Sequence, residues 1–377
     1  MVSNSADAPA AMPSLASSPM MWRGLIHHYR QHLPVTDATP NITLCEGNTP
    51  LIHAPRLAEL IAPDIELHLK FEGTNPTGSF KDRGMTMAVS KAAEKGAQVA
   101  ICASTGNTSA AAAAYCAVAD IRCVVLIPNN NIALGKLAQA LIEGATVLAI
   151  EGNFDDALNI VRDLTESHPI ELLNSVNPHR IEGQKTGAFE VCDFLGKAPD
   201  FHFVPVGNAG NITAYWKGYR EYHAAGVIDS LPRMCGFQAA GAAPLVLGHN
   251  VDNPETVATA IRIGHPARGA EALQARDDSG GVIGSVTDEE ILLAQRQTAA
   301  LSGVFGEPAC AAPIAGIAKL AKQGYFREAR EKLGRKPVVV SVVTGHGLKD
   351  PQTAIRNSGA PIVVPARGED VLKAIGF

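Results

Sequence analysis

An α/β fold, built from mostly parallel sheets flanked by helices, is the class this sequence predicts, on three observations. Short β-branched apolar runs alternate with Ala-rich stretches of helical spacing. Glycine turns repeatedly separate the strand-like from the helix-like segments, the signature of parallel sheets covered by helices. Some runs are apolar at every position, as strands buried on both faces are.

Taken in order, strands are predicted at Ile65 to Phe71, Val99 to Ser104, Cys123 to Ile127, Thr146 to Ile150, Ile170 to Leu173, Phe201 to Val206, Arg233 to Gln238 and Pro337 to Val343. Helices between them are predicted to start near Phe80, Thr108, Ile132, Phe154, Gly183 and Ile212. In the first of these, Ser79 and Asp82 read as a capping box, Met85, Val89, Ala92 and Ala93 follow at helical spacing, and Gly96 is the stop. The last carries an apolar face of Ile212, Tyr215, Trp216 and Tyr219. Gly241 to Gly284 mixes Gly, Pro and charge, resists assignment, and reads as mobile or loop-rich structure near a cleft.

Composition removes several function classes. A chain of 377 residues is long enough for two domains at ~150 residues each, or one large one. With 32 basic and 37 acidic residues and no long block of like charge, it is not a nucleic-acid scaffold, and any anion must be held locally. Its seven cysteines (45, 102, 116, 123, 192, 235 and 310) include no C-x-x-C pair, so neither a disulfide framework nor a zinc knuckle fits, and no metal is expected. The apolar run Ala110 to Ala119 is about half of the ~20 residues that span a bilayer, so no membrane helix is expected. The Ser/Ala/Pro string at the N-terminus lacks the basic start of a secretory signal, and predicts a disordered tail over 1–21 and a cytoplasmic protein.

Ligands of open α/β sheets bind beyond the carboxyl ends of the strands, and four such segments carry chemistry. Lys81 falls in the first turn of its helix, where the helix dipole and partial burial disfavour an ammonium whose usual pKa is ~10.4. It is a candidate Schiff-base lysine, or else a surface lysine paired with Asp82 or a nearby carboxylate. Ser104, Thr105, Asn107 and Thr108 follow a strand and open a helix; they offer donors to a carboxylate, or simply cap the helix. Gly207-Asn208-Ala209-Gly210-Asn211 has the glycine spacing that lets backbone wrap a phosphate, without being a Walker loop or a dinucleotide fingerprint. Thr344, at the end of the most apolar strand, aims a hydroxyl at a ligand's ring edge or merely starts a turn. Together they describe a pyridoxal-phosphate enzyme.

Five segments carry a closer resemblance: Glu46 to Leu51, Leu69 to Arg83, Ser104 to Thr108, Asn174 to Thr186, and Gly207 to Asn211. On these the chain resembles the shorter threonine synthases, within the pyridoxal 5'-phosphate (fold type II, tryptophan synthase beta-like) family that also holds serine and threonine dehydratases and cysteine synthases. The lysine helix and glycine loop are common to that family; Asn174 to Thr186 is the segment that looks like a threonine synthase. There Ser175 and Arg180 supply a hydroxyl and a forked guanidinium to a second phosphate, which a dehydratase has no need to hold.

The resemblance implies a set of roles. Lys81 forms the bond to the cofactor and later moves protons; Gly207, Asn208, Ala209, Gly210 and Asn211 hold the cofactor phosphate; Asn107 meets the ring hydroxyl and Thr344 the ring nitrogen. Ser104, Thr105 and Thr108 bind the substrate carboxylate or phosphate. The implied reaction turns O-phospho-L-homoserine and water into L-threonine and phosphate, in a homodimer with no nucleic-acid or membrane partner. A smaller domain over 65–173 is expected to close on a larger one made of 22–64 and 174–377, with the cofactor in the cleft. A sister dehydratase or phosphoserine-using synthase, and a non-catalytic binder of phosphorylated amino acids, are the competing readings.

Overall fold

The most apolar run of the chain, Val338–Val343, has both flanks covered: it runs through the interior of a six-stranded sheet. The computed structural model describes residues 21–129, 134–152 and 154–377. Among them the strands are β1 (Leu51–His53), β2 (Glu66–Phe71), β3 (Val99–Ala103), β4 (Arg122–Pro128), β5 (Thr146–Ile150), β6 (Glu171–Leu172), β7 (Phe201–Pro205), β8 (Arg233–Ala239), β9 (Val282–Val286) and β10 (Val338–Val343). They form one sheet of order β1-β2-β10-β7-β8-β9 and a second, four-stranded sheet of order β5-β4-β3-β6. Of these strand pairs only β1–β2 is antiparallel.

Alternation along β10 shows why the large sheet needs helices on both faces. Val339 and Val343 belong to one buried cluster, with Phe201, Phe203 and Phe237, while Val340 and Val342 belong to another on the opposite side, with Phe189, Tyr215 and Tyr219. The small sheet is likewise covered on both faces, Cys102 and Val125 on one side and Ile101 and Leu126 on the other. Six of the seven cysteines are buried and all are free, as their spacing predicts.

Several expectations change. The strand at Ile65 to Phe71 was expected in the smaller domain of 65–173, but β2 sits in the large sheet between β1 and β10, paired Val338 to Glu66 through Val343 to Phe71. That pairing joins distant parts of the chain and leaves no local trace. β1 and β9 are unpredicted edge strands: the first is three residues long, and the second, V-I-G-S-V, is only half-buried over most of its length. The unassigned Gly241 to Gly284 region resolves into a short turn of helix at Pro244–Leu247, the helix Gly269–Ser279 and the start of β9. The helix expected from Gly183 begins at Pro178, because Asn177 caps it, accepting from the His179 amide, and a proline suits the first helical position. The tail expected over 1–21 lies, Met21 excepted, outside the described residues, as does the helix start expected near Ile132. Among the described residues no helix is long and apolar enough to cross a membrane.

Candidate active site

Lys81 begins the helix Lys81–Glu94, and its approach segment is zipped to the end of β10. The Phe80 amide donates to the Thr344 carbonyl at 2.9 Å and the His346 amide to the Gly78 carbonyl at 2.9 Å, across a bridge between Ser79 and Gly345. The predicted lysine and the predicted hydroxyl are thereby neighbours. The capping box does not form: Phe80 is the N-cap, and the Asp82 carboxylate turns back to accept from the Thr77 amide at 2.7 Å and from the Thr77 hydroxyl. Nor does Asp82 pair with Lys81; burial raises the Asp82 carboxyl to about 7, against those two Thr77 hydrogen bonds. Burial pushes the Lys81 ammonium down to about 7, the nearby Arg180 charge adds to the drop, and Glu307 opposes it. A lysine that gives up its proton near neutrality is what a nucleophile and base at this place requires.

The Ser104 to Thr108 segment opens the helix Asn107–Val118 without side-chain capping, since its N-cap is Gly106. Ser104, Thr105 and Thr108 are half-buried; the Ser104 hydroxyl accepts from the Gly106 amide at 3.2 Å. The Asn107 amide donates to both oxygens of Glu307, at 3.0 and 3.1 Å, and so is already engaged. Glu307 is a residue that sequence reading missed. It is buried, burial raises its carboxyl against the Asn107 hydrogen bond, and its backbone amide donates to the Gly345 carbonyl at 3.0 Å. Its only local signal is its place before Pro308, which opens an Ala-rich helix. Thr344 is buried and shares a hydrogen bond of 3.4 Å with the Cys310 thiol. His346 stacks on Phe71 and its Nδ1 accepts from the Leu348 amide, so it is a loop-ordering residue.

Arg180 comes to the same place because two helices touch backbone to backbone. A Cβ on Gly183 would lie 1.8 Å from the Arg83 carbonyl oxygen, and one on Gly84 would lie 3.0 Å from the Arg180 carbonyl oxygen. Gly183 admits no side chain here and a Cβ on Gly84 would be tight, so the lysine helix and Pro178–Leu195 cross closely. Arg180 is 1% exposed and donates through Nη1 to the Leu173 carbonyl at 3.1 Å, while its Nε and Nη2 are buried with no partner. Burial lowers its guanidinium to about 10, opposed by Cys102 and helped by Arg268. Ser175, half-buried, lies in the same segment. Asn174, quoted in the motif but given no role, braces it: its side chain accepts from the Ala103 amide and donates to the Ala103 carbonyl, both at 3.0 Å, which ties the segment to the end of β3.

The glycine loop closes the constellation. Ala209 is left-handed at φ 64°, so the amides that follow turn together into the start of the helix Gly210–Ala224, a geometry suited to an anion. Gly207 lies so close to the next loop that a Cβ would stand 3.0 Å from the Ile261 Cα. Asn211 is buried with neither side-chain atom partnered.

Residues 42–345 match the model of the family described as pyridoxal-phosphate dependent enzyme. The chain belongs to that family. The threonine synthase of Synechocystis sp. is 55% identical over 99% of this chain and 96% of its own, and that of Mycobacterium leprae 56% identical over 94% and 97%. The threonine synthase of Methanocaldococcus jannaschii is 50% identical over 94% of this chain and 86% of its own. Among solved structures, the threonine deaminase isoform 2 of Solanum lycopersicum superposes with a TM-score of 0.70 at 18% identity, covering 88% of this chain and 92% of that one. Maize serine racemase gives 0.69 at 20%, covering 88% and 96%; at such identities these two speak for the fold.

The residues present fit the family's cofactor. A depressed lysine, an anion-suited loop at a helix start and an unpartnered Asn211 side chain meet at one sheet edge, and pyridoxal phosphate offers an aldehyde and a phosphate to receive them. Arg180 keeps two buried donors without a partner beside them.

Proposed function

We propose that this chain is a threonine synthase, and that it converts O-phospho-L-homoserine and water into L-threonine and phosphate. The observation that carries the substrate is Arg180: a buried guanidinium with two unpartnered donors, close enough to Lys81 to depress it. A buried charge is costly unless paired, so this one belongs opposite an anion. The relatives at 50 to 56% identity support the same reading.

In this proposal Gly207, Asn208, Ala209, Gly210 and Asn211 hold the cofactor phosphate, with Asn107 and Thr344 at the ring. The bound cofactor supplies an electron sink for charge that develops on the substrate. Lys81, neutral when freed, takes protons from Cα and then Cβ of the substrate. The Cγ–O bond breaks as phosphate leaves, Cγ gains a proton, water adds at Cβ, and Cα is reprotonated. Arg180 and Ser175 keep the departing phosphate in place, and Ser104, Thr105 and Thr108 bind the substrate carboxylate or phosphate. Glu307 fixes the Asn107 amide. The unit built on the four-stranded sheet closes over substrate and excludes water from the reacting atoms until it is needed. A homodimer and a cytoplasmic location complete the proposal, the first by resemblance.

Steady-state assay of purified holoenzyme tests it. Phosphate and threonine are expected in equal amounts from phosphohomoserine; oxoacid from threonine or serine, without threonine from phosphohomoserine, overturns the reading.

A further inference from the structure

The Gly207 to Asn211 loop follows β7 of the large sheet, whereas the Ser175 to Arg180 segment follows β6 of the small one. The two sheets are separate; the helices that follow the segments pack on each other, where a Cβ on Gly218 would lie 2.5 Å from the Lys185 carbonyl oxygen. Arg268 hydrogen-bonds to both the loop and the segment. Arg268, in the Gly241 to Gly284 region for which the motifs gave no role, donates from Nε to the Ser175 carbonyl and from Nη2 to the Val176 carbonyl, each at 3.3 Å. Its backbone amide donates to the Asn208 carbonyl at 3.3 Å, and the Ala267 amide to the Asn208 side-chain oxygen at 3.4 Å.

We infer that Arg268 is a positioning residue, a clamp that fixes the Ser175 segment against the Asn208 loop and so sets the spacing of the second anion site from the cofactor. This rests on the function proposed above. The planar fork is what the task requires, because two N–H groups in one plane reach successive carbonyls, while an ammonium offers one point of charge. The third arm donates to Glu271 at 3.2 Å, so the charge of Arg268 is answered on its own helix and it does not compete with Arg180 for the anion. Its side chain is largely covered, at 18% exposed. Since its side chain bonds backbone carbonyls and Glu271, it acts on substrate through Ser175 and Arg180.

The test uses holoenzyme of wild type, Arg268→Gln and Arg268→Lys, with two readouts. In turnover, both variants are expected to raise KM for phosphohomoserine roughly tenfold, as for the loss of two holding hydrogen bonds, with kcat changed less than about threefold. In calorimetric titration with inorganic phosphate, which needs no turnover, both should weaken binding to a similar degree while the cofactor's visible absorbance is unchanged. Full recovery in Arg268→Lys would show that charge alone matters and overturn the clamp, as would unchanged KM and phosphate affinity in Arg268→Gln. A loss confined to cofactor occupancy or to thermal stability overturns it too. If wild type itself makes no threonine and binds no second phosphate, the functional reading fails; if wild type does both and Arg268→Gln equals it, only the clamp fails.

Discussion

Arg83 and Arg180 are both about 1% exposed, on helices that cross at Gly84 and Gly183, and they live in opposite electrostatic worlds. Every arm of Arg83 is used: Nε and Nη2 donate to Glu72 at 2.7 and 2.8 Å, Nη1 and Nη2 to Glu190 at 2.6 Å each, and further bonds go to Thr49 and Thr186. The two carboxylates hold its guanidinium well above its ordinary value despite burial. Lys70 joins the network through Glu190 at 2.7 Å. Arg180 has one backbone carbonyl, no carboxylate and a guanidinium lowered to about 10. A buried arginine whose donors are all satisfied belongs to the scaffold; one whose donors are idle belongs to a ligand. The first ties the lysine helix to the turn after β2 and to the Pro178–Leu195 helix, which also carries the second.

The same substitution therefore has opposite consequences at the two positions. Arg83→Met leaves Glu72 without its cation and Glu190 with Lys70 alone, and should cost about 3–5 kcal/mol of folding stability. Urea unfolding measures it; a loss below ~1 kcal/mol would mean that the network is not what pins the lysine helix. Arg180→Met removes an unpaired buried charge, and stability should stay level or rise. Its effect appears in turnover instead, as a fall in kcat/KM for phosphohomoserine on the order of 10²-fold, the usual consequence of deleting one side of a buried charge pair. Should Arg180→Met unfold the protein as Arg83→Met does, the contrast between the two arginines is wrong.

This contrast was half legible beforehand. The sequence points to Lys81 and the glycine loop because each carries its signal locally, a lysine opening a helix after a strand and glycines spaced for a phosphate, and to the Asn174 to Thr186 segment by its resemblance to a known motif. What it hides are partners far along the chain. Glu190 is 107 residues from Arg83, and Glu307 is 200 from Asn107. Arg268 sits in a Gly/Pro-rich stretch whose short helices have no strong apolar period. The mistaken placement of β2 has the same origin, since its neighbour β10 arrives from the other end of the chain. Ser79 and Asp82 show a local rule losing to a tertiary one: the capping pattern is present, but Thr77 offers Asp82 two donors and takes it.

The smallest expected effect is the most direct reading of how the idle arginine touches the chemistry. Burial and Arg180 bring Lys81 down to about 7 from an ordinary 10.5, with Glu307 pulling the other way. In cofactor-free protein the unfolded chain thus binds one more proton than the folded one between those two values. Lys81's contribution to stability therefore rises with pH through that window, and below pH 7 its penalty is complete and constant. Labelling of Lys81 by an amine-directed reagent, followed by mass spectrometry, is expected to rise with a midpoint near pH 7. In Arg180→Met protein a like charge has gone while the burial remains, so the midpoint moves up toward the lysine range without reaching it. An unchanged midpoint would show that the guanidinium does not act on Lys81, and would leave Arg180 as a holder of phosphate with no part in tuning the base.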